Sequence, residues 1–539
     1  MAGWGRAPLI SRATYARGVP GPLLLSGHDL TPQDVERVAR GGADVTLDPI
    51  AQERMTASRA TIEGLVAASE AVYGVTTGFG DLATRRIDPA DARRLQENLL
   101  VSHAVGVGPA HDRETVRAML LLRANTLARG QSGCRPLLVE RLIDFLRLGI
   151  HPTVPEQGSV GASGDLAPLA HLALPLIGRG QAEFGGERLS GAEALRRAGL
   201  EPLSLEAKEG LALLNGTQQM TAIGALVLLD AERLARNASV VAAMSTEALM
   251  GTDVAFAAAY HAARPHPGQA RTAAELRHLL RRSELQQAHH GEAHKVQDPY
   301  SVRCIPQVHG ASRDALAYTR NVLTIEMNSA TDNPLVFPEG SDADAGAMAT
   351  GGGTVISGGN FHGQPVALAM DFAKLAIAEL GSISERRTAL LIDGRMSGLP
   401  PFLVADAGLN SGLMLLQYTA AALVSENKVL VHPASADSIP TSANQEDHVS
   451  MGSIAARHAR DVLRNVERVV ALELLCAAQG LDFRLAGGLR PGAGVDEAHG
   501  RIRSHVPHLD TDRDPGPDIA AATALIRSGD LLDLLPAPA

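Results

Sequence analysis

The sequence predicts a mostly α-helical protein, in which an elongated bundle of many helices is joined to a smaller, loop-rich N-terminal lobe. Hydrophobic residues make up 45% of the 539 residues but aromatic residues only 3%, so the core must rest on Ala, Leu and Val. Small apolar residues favour close helix packing over pleated sheets. Long stretches with apolar residues at three- and four-residue spacing begin near residue 213, and glycine-rich loops precede them.

The first part of the chain is predicted to be a tail followed by the lobe. Residues 1–20 contain three arginines but no long apolar segment, which indicates a flexible soluble tail rather than a signal peptide. Residues 21–212 form the predicted lobe, in which 73–80 and 158–165 are glycine-rich loops. A strongly apolar run at 166–177 follows the second loop and is broken by two prolines.

The remaining part, residues 213–539, is predicted to be the long helical bundle with its C-terminal helices. Alanine-rich helices of this length are too long for separate small domains and therefore indicate one bundle. A gap at 338–353 is acidic and rich in glycine, which is typical of a solvent loop. The helical windows are 217–250, 311–329, 364–394, 409–432 and 452–480.

Charge and cysteine usage exclude several classes of protein. The 49 basic and 59 acidic residues give a net charge of −10, which argues against a surface for nucleic acid or anionic membranes. The three cysteines lie far apart without a CxxC pair, so we expect neither a disulfide framework nor a thiolate zinc site. Residues 210–229 carry no charge but contain too many amide and hydroxyl side chains for a lipid-facing helix. We therefore expect a cytoplasmic protein without membrane contact.

The candidate for unusual chemistry is the triplet Ala162-Ser163-Gly164, followed by Asp165. The Gly164 nitrogen can attack the Ala162 carbonyl, because glycine allows a close approach that a Cβ would forbid. Loss of water from the ring and from the Ser163 hydroxyl then leaves an alkene conjugated to an imidazolone, an electrophile that can activate an amine. The Asp165 carboxylate stands where it can assist the dehydration. Taken alone, the triplet is weak evidence, because Ala, Ser and Gly are common and a plain turn is the usual explanation.

Two other motifs do not support a function. His290 and His294 could share a helix face, but a zinc protease motif needs Glu directly after its first His, and here it comes two positions later. We therefore predict no metal site. The glycines at 74, 78 and 80 follow no strand and match neither phosphate-binding motif.

The stretch around the triplet and eight further blocks, in the same order over roughly residues 20–500, resemble the aromatic amino-acid ammonia-lyases. That family implies a fumarase/aspartase-like helical fold. It also implies a 4-methylidene-imidazol-5-one (MIO) group formed autocatalytically from the triplet, with no external cofactor, and a homotetramer whose chains complete each other's active sites. The blocks are GSVGASGDLAPLAHLA, YGVTTGFG, LVSHAVGVG, EGLALLNGTQ, QDPYSVRC, DNPLVF, SGGNFH, SERR and the segment from SENK to SANQEDHVSMG.

Two positions resemble the members of this family that act on L-histidine. Ser102-His103 occupies the selectivity dipeptide, which is usually Phe-Leu or His-Leu in the enzymes for phenylalanine and tyrosine. Glu446 stands where those enzymes usually carry a neutral residue; a carboxylate can accept an imidazole N–H but gains nothing from a phenyl ring. The implied reaction is the non-oxidative deamination of L-histidine to trans-urocanate and ammonia, the first step of histidine degradation to glutamate.

The resemblance also implies three catalytic residues. Ser163 forms part of the electrophile that takes up the substrate amine. Tyr73, on the first glycine-rich loop, corresponds to the base, so its site must favour a phenolate, because a free phenol titrates near pH 10. Tyr300 corresponds to a second active-site tyrosine that supports the electrophile and the amine. Without the resemblance, Tyr73 is better explained as a loop anchor.

The implied substrate-binding residues surround these three. Arg303 can hold the substrate carboxylate with two parallel hydrogen bonds, although a surface ion pair is the alternative for a lone Arg. Asn215 corresponds to a residue that hydrogen-bonds the prosthetic group and substrate, Gln297 helps to fix them, and Phe361 forms a wall by stacking. His103 and Glu446 are predicted to hold the imidazole; a core histidine is the alternative for His103.

Several positions depart from the pattern of the histidine-specific members. Ile305 and His309 stand where Gln and Met are expected, and Gly363-Gln364 replaces Ala-Glu. The first pair flanks Arg303, so the departures leave the preferred amino acid open. The rival interpretations are a tyrosine or phenylalanine ammonia-lyase, an aminomutase that returns ammonia to the β-carbon, and a catalytically inactive helical scaffold.

Overall fold

The computed structural model describes residues 21–68, 77, 87, 91–289, 297–339, 348–350 and 353–536. Within these ranges the chain forms twenty α-helices and ten short β-strands, which confirms the prediction of a mostly α-helical protein. The predicted tail at 1–20, the base candidate Tyr73 and the histidines at 290 and 294 lie outside the described residues.

The helices before residue 215 are short or of medium length, and the longest ones follow it. The first eight are α1 (Pro32–Ala39), α2 (Pro49–Ala67), α3 (Ala92–His103), α4 (Arg113–Ala128), α5 (Pro136–Leu148), α6 (Ala167–Ala173), α7 (Gly191–Ala198) and α8 (Glu209–Leu214). The others are α9 (Gln218–Ala248), α10 (Ala258–Ala262), α11 (Pro267–Leu279), α12 (Glu284–His289), α13 (Tyr300–Arg303), α14 (Ile305–Met327), α15 (Gln364–Ile392), α16 (Gly394–Ser397), α17 (Met414–Leu430), α18 (Gly452–Leu485), α19 (Ala493–Arg503) and α20 (Gly516–Ser528).

The strands form four small sheets in the described part of the chain. One sheet is parallel and pairs β1 (Leu23–Leu25) with β2 (Val45–Leu47), with Leu23 opposite Val45. The other three are antiparallel: β3 (Val107–Ala110) with β5 (Pro155–Gln157); β4 (His151–Pro152), β6 (Gln181–Phe184) and β7 (Glu187–Ser190) in that order; and β10 (Gly353–Ile356) between β8 (Leu335–Pro338) and β9 (Met348–Thr350).

Each of the five predicted helical windows overlaps one long helix. Helix α18 continues to Leu485, beyond its window, and the starts of two other helices differ for local reasons. Helix α14 begins at Ile305, before the window, because Pro306 occupies its first turn, where a missing N–H is harmless. Helix α17 begins only at Met414. Gly412 has a φ of +58°, and a Cβ there would lie 2.4 Å from the Phe402 carbonyl oxygen, so the chain turns at this glycine before the helix starts.

Helix α18 lies at the centre of the bundle. It packs along α15 and α9 and also contacts α17 and α20, while α14 packs on α15. Its buried face consists mainly of Ala, Val and Leu, as the composition predicts. One large hydrophobic core extends from Leu25 to Leu535, so the proposed division of the chain at residue 212 stays a prediction. Among the described helices, none combines the length and the apolar character needed to cross a membrane.

Candidate active site

The triplet lies in a loop just before α6, and the next segment of the site presses against it. Gly164 has a φ of +74° and pairs with Gly216, which follows the end of α8. A Cβ on Gly164 would lie 2.1 Å from the Gly216 carbonyl oxygen, so only glycine fits here. The same oxygen accepts a hydrogen bond from the Asp165 N–H at 2.7 Å. Ala162 is buried beside Val449 and Met451, so both ends of the triplet are held.

Asp165 connects this loop to helix α9. Its Oδ2 accepts hydrogen bonds from the Gln219 and Met220 N–H groups at 2.6 and 3.4 Å, at the start of α9. Burial raises the pKa of the Asp165 carboxyl to about 7, against the lowering effect of these two N–H groups. Its Oδ1 is buried and has no hydrogen-bond partner among the described residues. Asp165 is thus a helix cap as well as a neighbour of the triplet.

Glu446 comes to the triplet from the loop between α17 and α18. The Ser163 hydroxyl donates a hydrogen bond to Glu446 Oε1 at 3.0 Å. The Thr441 hydroxyl donates to Oε2 at 2.7 Å, and the two residues also pair through their backbones. The structure therefore brings together Ser163 and Glu446, which are 283 residues apart in the sequence. Thr441 lies in the PTSANQED block, but nothing in the sequence indicated that its hydroxyl holds the carboxylate.

His103, the last residue of α3, lies close enough to Glu446 for the two to interact electrostatically. Burial lowers the pKa of His103, and the Leu99 carbonyl and the Glu446 charge oppose this only in part, which favours a neutral ring. His103 Nδ1 lies 2.8 Å from the Leu99 carbonyl oxygen, which can only accept, so Nδ1 carries the hydrogen. The other ring nitrogen, Nε2, is then an acceptor.

Asn215 ends α8 beside the Gly216–Gly164 contact, and its side chain is buried. Its Nδ2 donates to Asp332 Oδ1 and to the Asn333 carbonyl, each at 3.2 Å. Asp332 in turn forms an ion pair with the buried Lys208. Lys208 and Asp332 were not predicted as site residues, although each lies in or beside a block that resembles the family.

Tyr300 and Arg303 form a second group on α13. The guanidinium carbon of Arg303 lies 4.5 Å above the Tyr300 ring, and Arg303 Nε is buried with no hydrogen-bond partner among the described residues. Tyr300 is 71% exposed, Gln297 is exposed and Phe361 is half-buried. Among the described residues, no hydrogen bond, ion pair or ring contact joins these four residues to Ser163, whose hydroxyl bonds Glu446 instead. The structure thus brings together Tyr300 and Arg303 and leaves the Tyr300 ring largely open to solvent.

The departures from the family pattern have local structural explanations. Ile305 and His309 are fully buried in the bundle, where burial lowers the pKa of His309 well below its usual value. Gly363 packs tightly against Met220, because a Cβ would lie 2.7 Å from the Met220 sulfur. Ile305, His309 and Gly363 therefore contribute to packing in the protein interior.

The chain belongs to the aromatic amino acid lyase family, whose sequence model matches residues 30–504. Among its relatives, a histidine ammonia-lyase from Anaeromyxobacter sp. is 54% identical over 517 residues, covering 94% of this chain and 99% of the relative. The crystal structure of histidine ammonia-lyase from Trypanosoma cruzi has a TM-score of 0.87 at 43% identity and covers 96% of both chains. Tyrosine aminomutase from Streptomyces globisporus has a TM-score of 0.88 at 40% identity, over 95% of this chain and 98% of that chain.

Proposed function

We propose that the chain is a histidine ammonia-lyase that converts L-histidine to trans-urocanate and ammonia, the first step of histidine degradation to glutamate. The observation that carries this proposal is the Glu446 carboxylate, hydrogen-bonded to the Ser163 hydroxyl at 3.0 Å, with the neutral ring of His103 nearby. A carboxylate and a neutral imidazole both accept N–H groups, which a histidine side chain offers and a phenylalanine side chain does not. Relatives 54% identical that bear this name support the same substrate.

Members of this family generally use an MIO group, and the residues at 162–164 fit its formation. The positive φ of Gly164 and the nearby Gly216 carbonyl leave no room for a Cβ. Ala162 is held in place by packing against Val449 and Met451. We infer that Ala162, Ser163 and Gly164 form the group autocatalytically, with a new bond from the Gly164 nitrogen to the Ala162 carbonyl carbon and loss of two waters. No external cofactor is then needed. Once formed, the group supplies an electrophile for the substrate amine.

The other residues bind the substrate and move protons. We assign the removal of the β-proton to Tyr73 as a phenolate, and the support of the amine to Tyr300. The Arg303 guanidinium, which has a free Nε among the described residues, holds the substrate carboxylate. Gln297 and Phe361 help to orient the substrate.

We further propose a homotetramer with shared active sites. Exposed apolar side chains follow one another along neighbouring helices: Tyr318 and Ile325 on α14, and Leu368, Phe372 and Leu375 on α15. Tyr318 and Phe372 touch edge to face, with ring centres 5.9 Å apart, which joins the two rows into one patch. Patches of this kind mark protein–protein interfaces. A neighbouring chain would also complete the open surface around Tyr300.

We retain the cytoplasmic location and the division into a tail at 1–20, a lobe at 21–212 and a bundle at 213–539 as parts of the proposal. The net charge of −10 and the separated cysteines support a location in a reducing compartment. The clustering of the long helices after residue 215 supports the division.

The test is ultraviolet detection of urocanate after L-histidine is added to the purified protein, with tyrosine and phenylalanine assayed in parallel. Release of urocanate, with much less product from the other two amino acids, is the expected result. Preferred turnover of tyrosine or phenylalanine, or accumulation of a β-amino acid, would contradict the proposal and identify a different lyase or an aminomutase. An intact mass without the deficit of two waters would identify an inactive scaffold.

A further inference from the structure

Two buried charges beside the site have no part in the mechanism above. The side chains of Lys208 and Asp332 are fully buried, and Lys208 Nζ lies 2.8 Å from Asp332 Oδ2. An ion pair of this kind adds little or nothing to stability compared with apolar residues of the same size. Stability therefore does not explain why this ion pair lies beside the site. The second oxygen of Asp332, Oδ1, contacts a site residue and suggests a different role.

Asp332 Oδ1 accepts a hydrogen bond from Asn215 Nδ2 at 3.2 Å. The carbonyl of Asn333 accepts from the same Nδ2, also at 3.2 Å. A carboxylate and a carbonyl can only accept, so the NH2 group of Asn215, and not its oxygen, must face them. The orientation of the Asn215 amide is therefore set by the Asp332 carboxylate, whose charge Lys208 balances, together with the Asn333 carbonyl.

The opposite end of this amide is available. Asn215 Oδ1 is buried and has no hydrogen-bond partner among the described residues. The main chain of Asn215 is also fixed, because buried Arg123 donates from Nη1 to its carbonyl oxygen at 2.7 Å. The next residue, Gly216, lies against Gly164 of the triplet. A buried acceptor is thus held in place beside the reacting residues.

We propose that Lys208 and Asp332 are positioning residues that lock Asn215 with its Oδ1 toward the site, as an acceptor for the N–H groups of the substrate amine. This inference rests on the proposed ammonia-lyase function. Every amino-acid substrate carries this amine, so the device serves catalysis in general and does not select the side chain. If the Asn215 amide could rotate, its NH2 group would face the N–H groups of the substrate amine, and two donors cannot form a hydrogen bond.

The test is a double-mutant cycle on kcat/KM for L-histidine. The first change is a neutral pair, Lys208→Met with Asp332→Asn, which removes both charges and replaces the carboxylate that holds the Asn215 NH2 group with a neutral amide. The second change is Asn215→Ala. If the pair acts through Asn215, the neutral pair lowers kcat/KM about tenfold or more when Asn215 is present, but less than about twofold when Asn215→Ala has already removed the amide.

Three further measurements make the result specific. The intact mass of the neutral-pair variant should keep its deficit of two waters, which shows that the triplet has cyclised. A matched control removes another largely buried ion pair, Arg313 with Glu275 at 2.6 Å between α14 and α11, through Arg313→Met with Glu275→Gln. This control should leave kcat/KM within about twofold of wild type. Asp332→Asn alone, which keeps the side-chain shape, takes the place of the neutral pair if that variant does not fold.

Equal losses in the presence and absence of Asn215 would overturn the inference and leave the proposed function intact. Loss of the two-water deficit in the neutral-pair variant would also overturn it, because the pair would then act on the triplet. A wild-type protein that forms no product from histidine, tyrosine or phenylalanine would overturn the proposed function, and the inference with it.

Discussion

The carboxyl of Asp165 should make the stability of this protein fall as the pH rises toward neutrality. Burial raises its pKa from 3.8 to about 7 in the folded chain. Below pH 4 the carboxyl is protonated in both the folded and the unfolded chain and has no effect. Above that pH the unfolded chain releases the proton and the folded chain keeps it until about pH 7, so unfolding becomes progressively easier.

The size of the effect follows from the two pKa values. One unit corresponds to about 1.4 kcal/mol, so Asp165 destabilises the folded chain by about 1–2 kcal/mol at pH 5 and about 4 kcal/mol at pH 8. Asp165→Asn removes this titration and keeps an oxygen that can accept from the Gln219 N–H. The free energy of unfolding of the variant should therefore rise relative to wild type by about 2–3 kcal/mol between pH 5 and pH 8.

The assay is equilibrium urea unfolding of wild type and variant at pH 5, 6, 7 and 8. The matched control is Asp112→Asn. Asp112 also caps a helix, accepting from the Thr115 N–H at 2.9 Å, but its pKa is lowered, chiefly by this N–H and the Thr115 hydroxyl against the opposing effect of burial. Because its carboxyl is ionised in both states above pH 5, its difference from wild type should stay constant. A constant difference for Asp165→Asn as well would refute the reasoning.

Four further predictions concern the site and the assembly. Ser163→Ala should leave the helical circular dichroism unchanged, abolish most turnover and remove the mass deficit of two waters; near-normal activity would contradict the assignment of the electrophile. Gly164→Ala should block formation of the group, because its Cβ would lie 2.1 Å from the Gly216 carbonyl oxygen, and the intact mass should show both waters retained. Glu446→Gln should lower kcat/KM for histidine by about 10- to 150-fold, as expected for a lost hydrogen bond to a charged group of about 1.5–3 kcal/mol, while any residual phenylalanine turnover changes little; equal losses would argue against an imidazole role. Phe372→Glu, at the centre of the exposed patch, should shift the protein to smaller species in size-exclusion chromatography with light scattering, and an unchanged mass would place the interface elsewhere.

The sequence predicted the long helices well because their signal is local. Apolar residues repeat along α9, α15 and α18 at the helical period, and the windows found the corresponding segments within a few residues. The start of α17 was less accurate, since it depends on a close approach of Gly412 to Phe402, a contact that spacing alone does not reveal.

The candidate site was less accessible to sequence reasoning. The triplet and Glu446 were found through the resemblance, and the structure places Ser163 and Glu446 in contact. Lys208 and Asp332 escaped notice because a lysine and an aspartate 124 residues apart carry no signal of pairing until the chain is folded. Tyr300 is 71% exposed in the single chain, so its place in the active site stays a prediction.

The hydrogen bond between Ser163 and Glu446 links maturation of the triplet to binding of the substrate. Thr441 occupies one oxygen of the carboxylate, and the other is engaged by the very hydroxyl that dehydration of the triplet releases as water. Under the proposed mechanism, a newly folded chain would therefore have its recognition carboxylate occupied by Ser163, and dehydration of the triplet would free that oxygen. Maturation and substrate affinity are linked through a single oxygen atom, so histidine should bind more weakly to chains that have not yet matured.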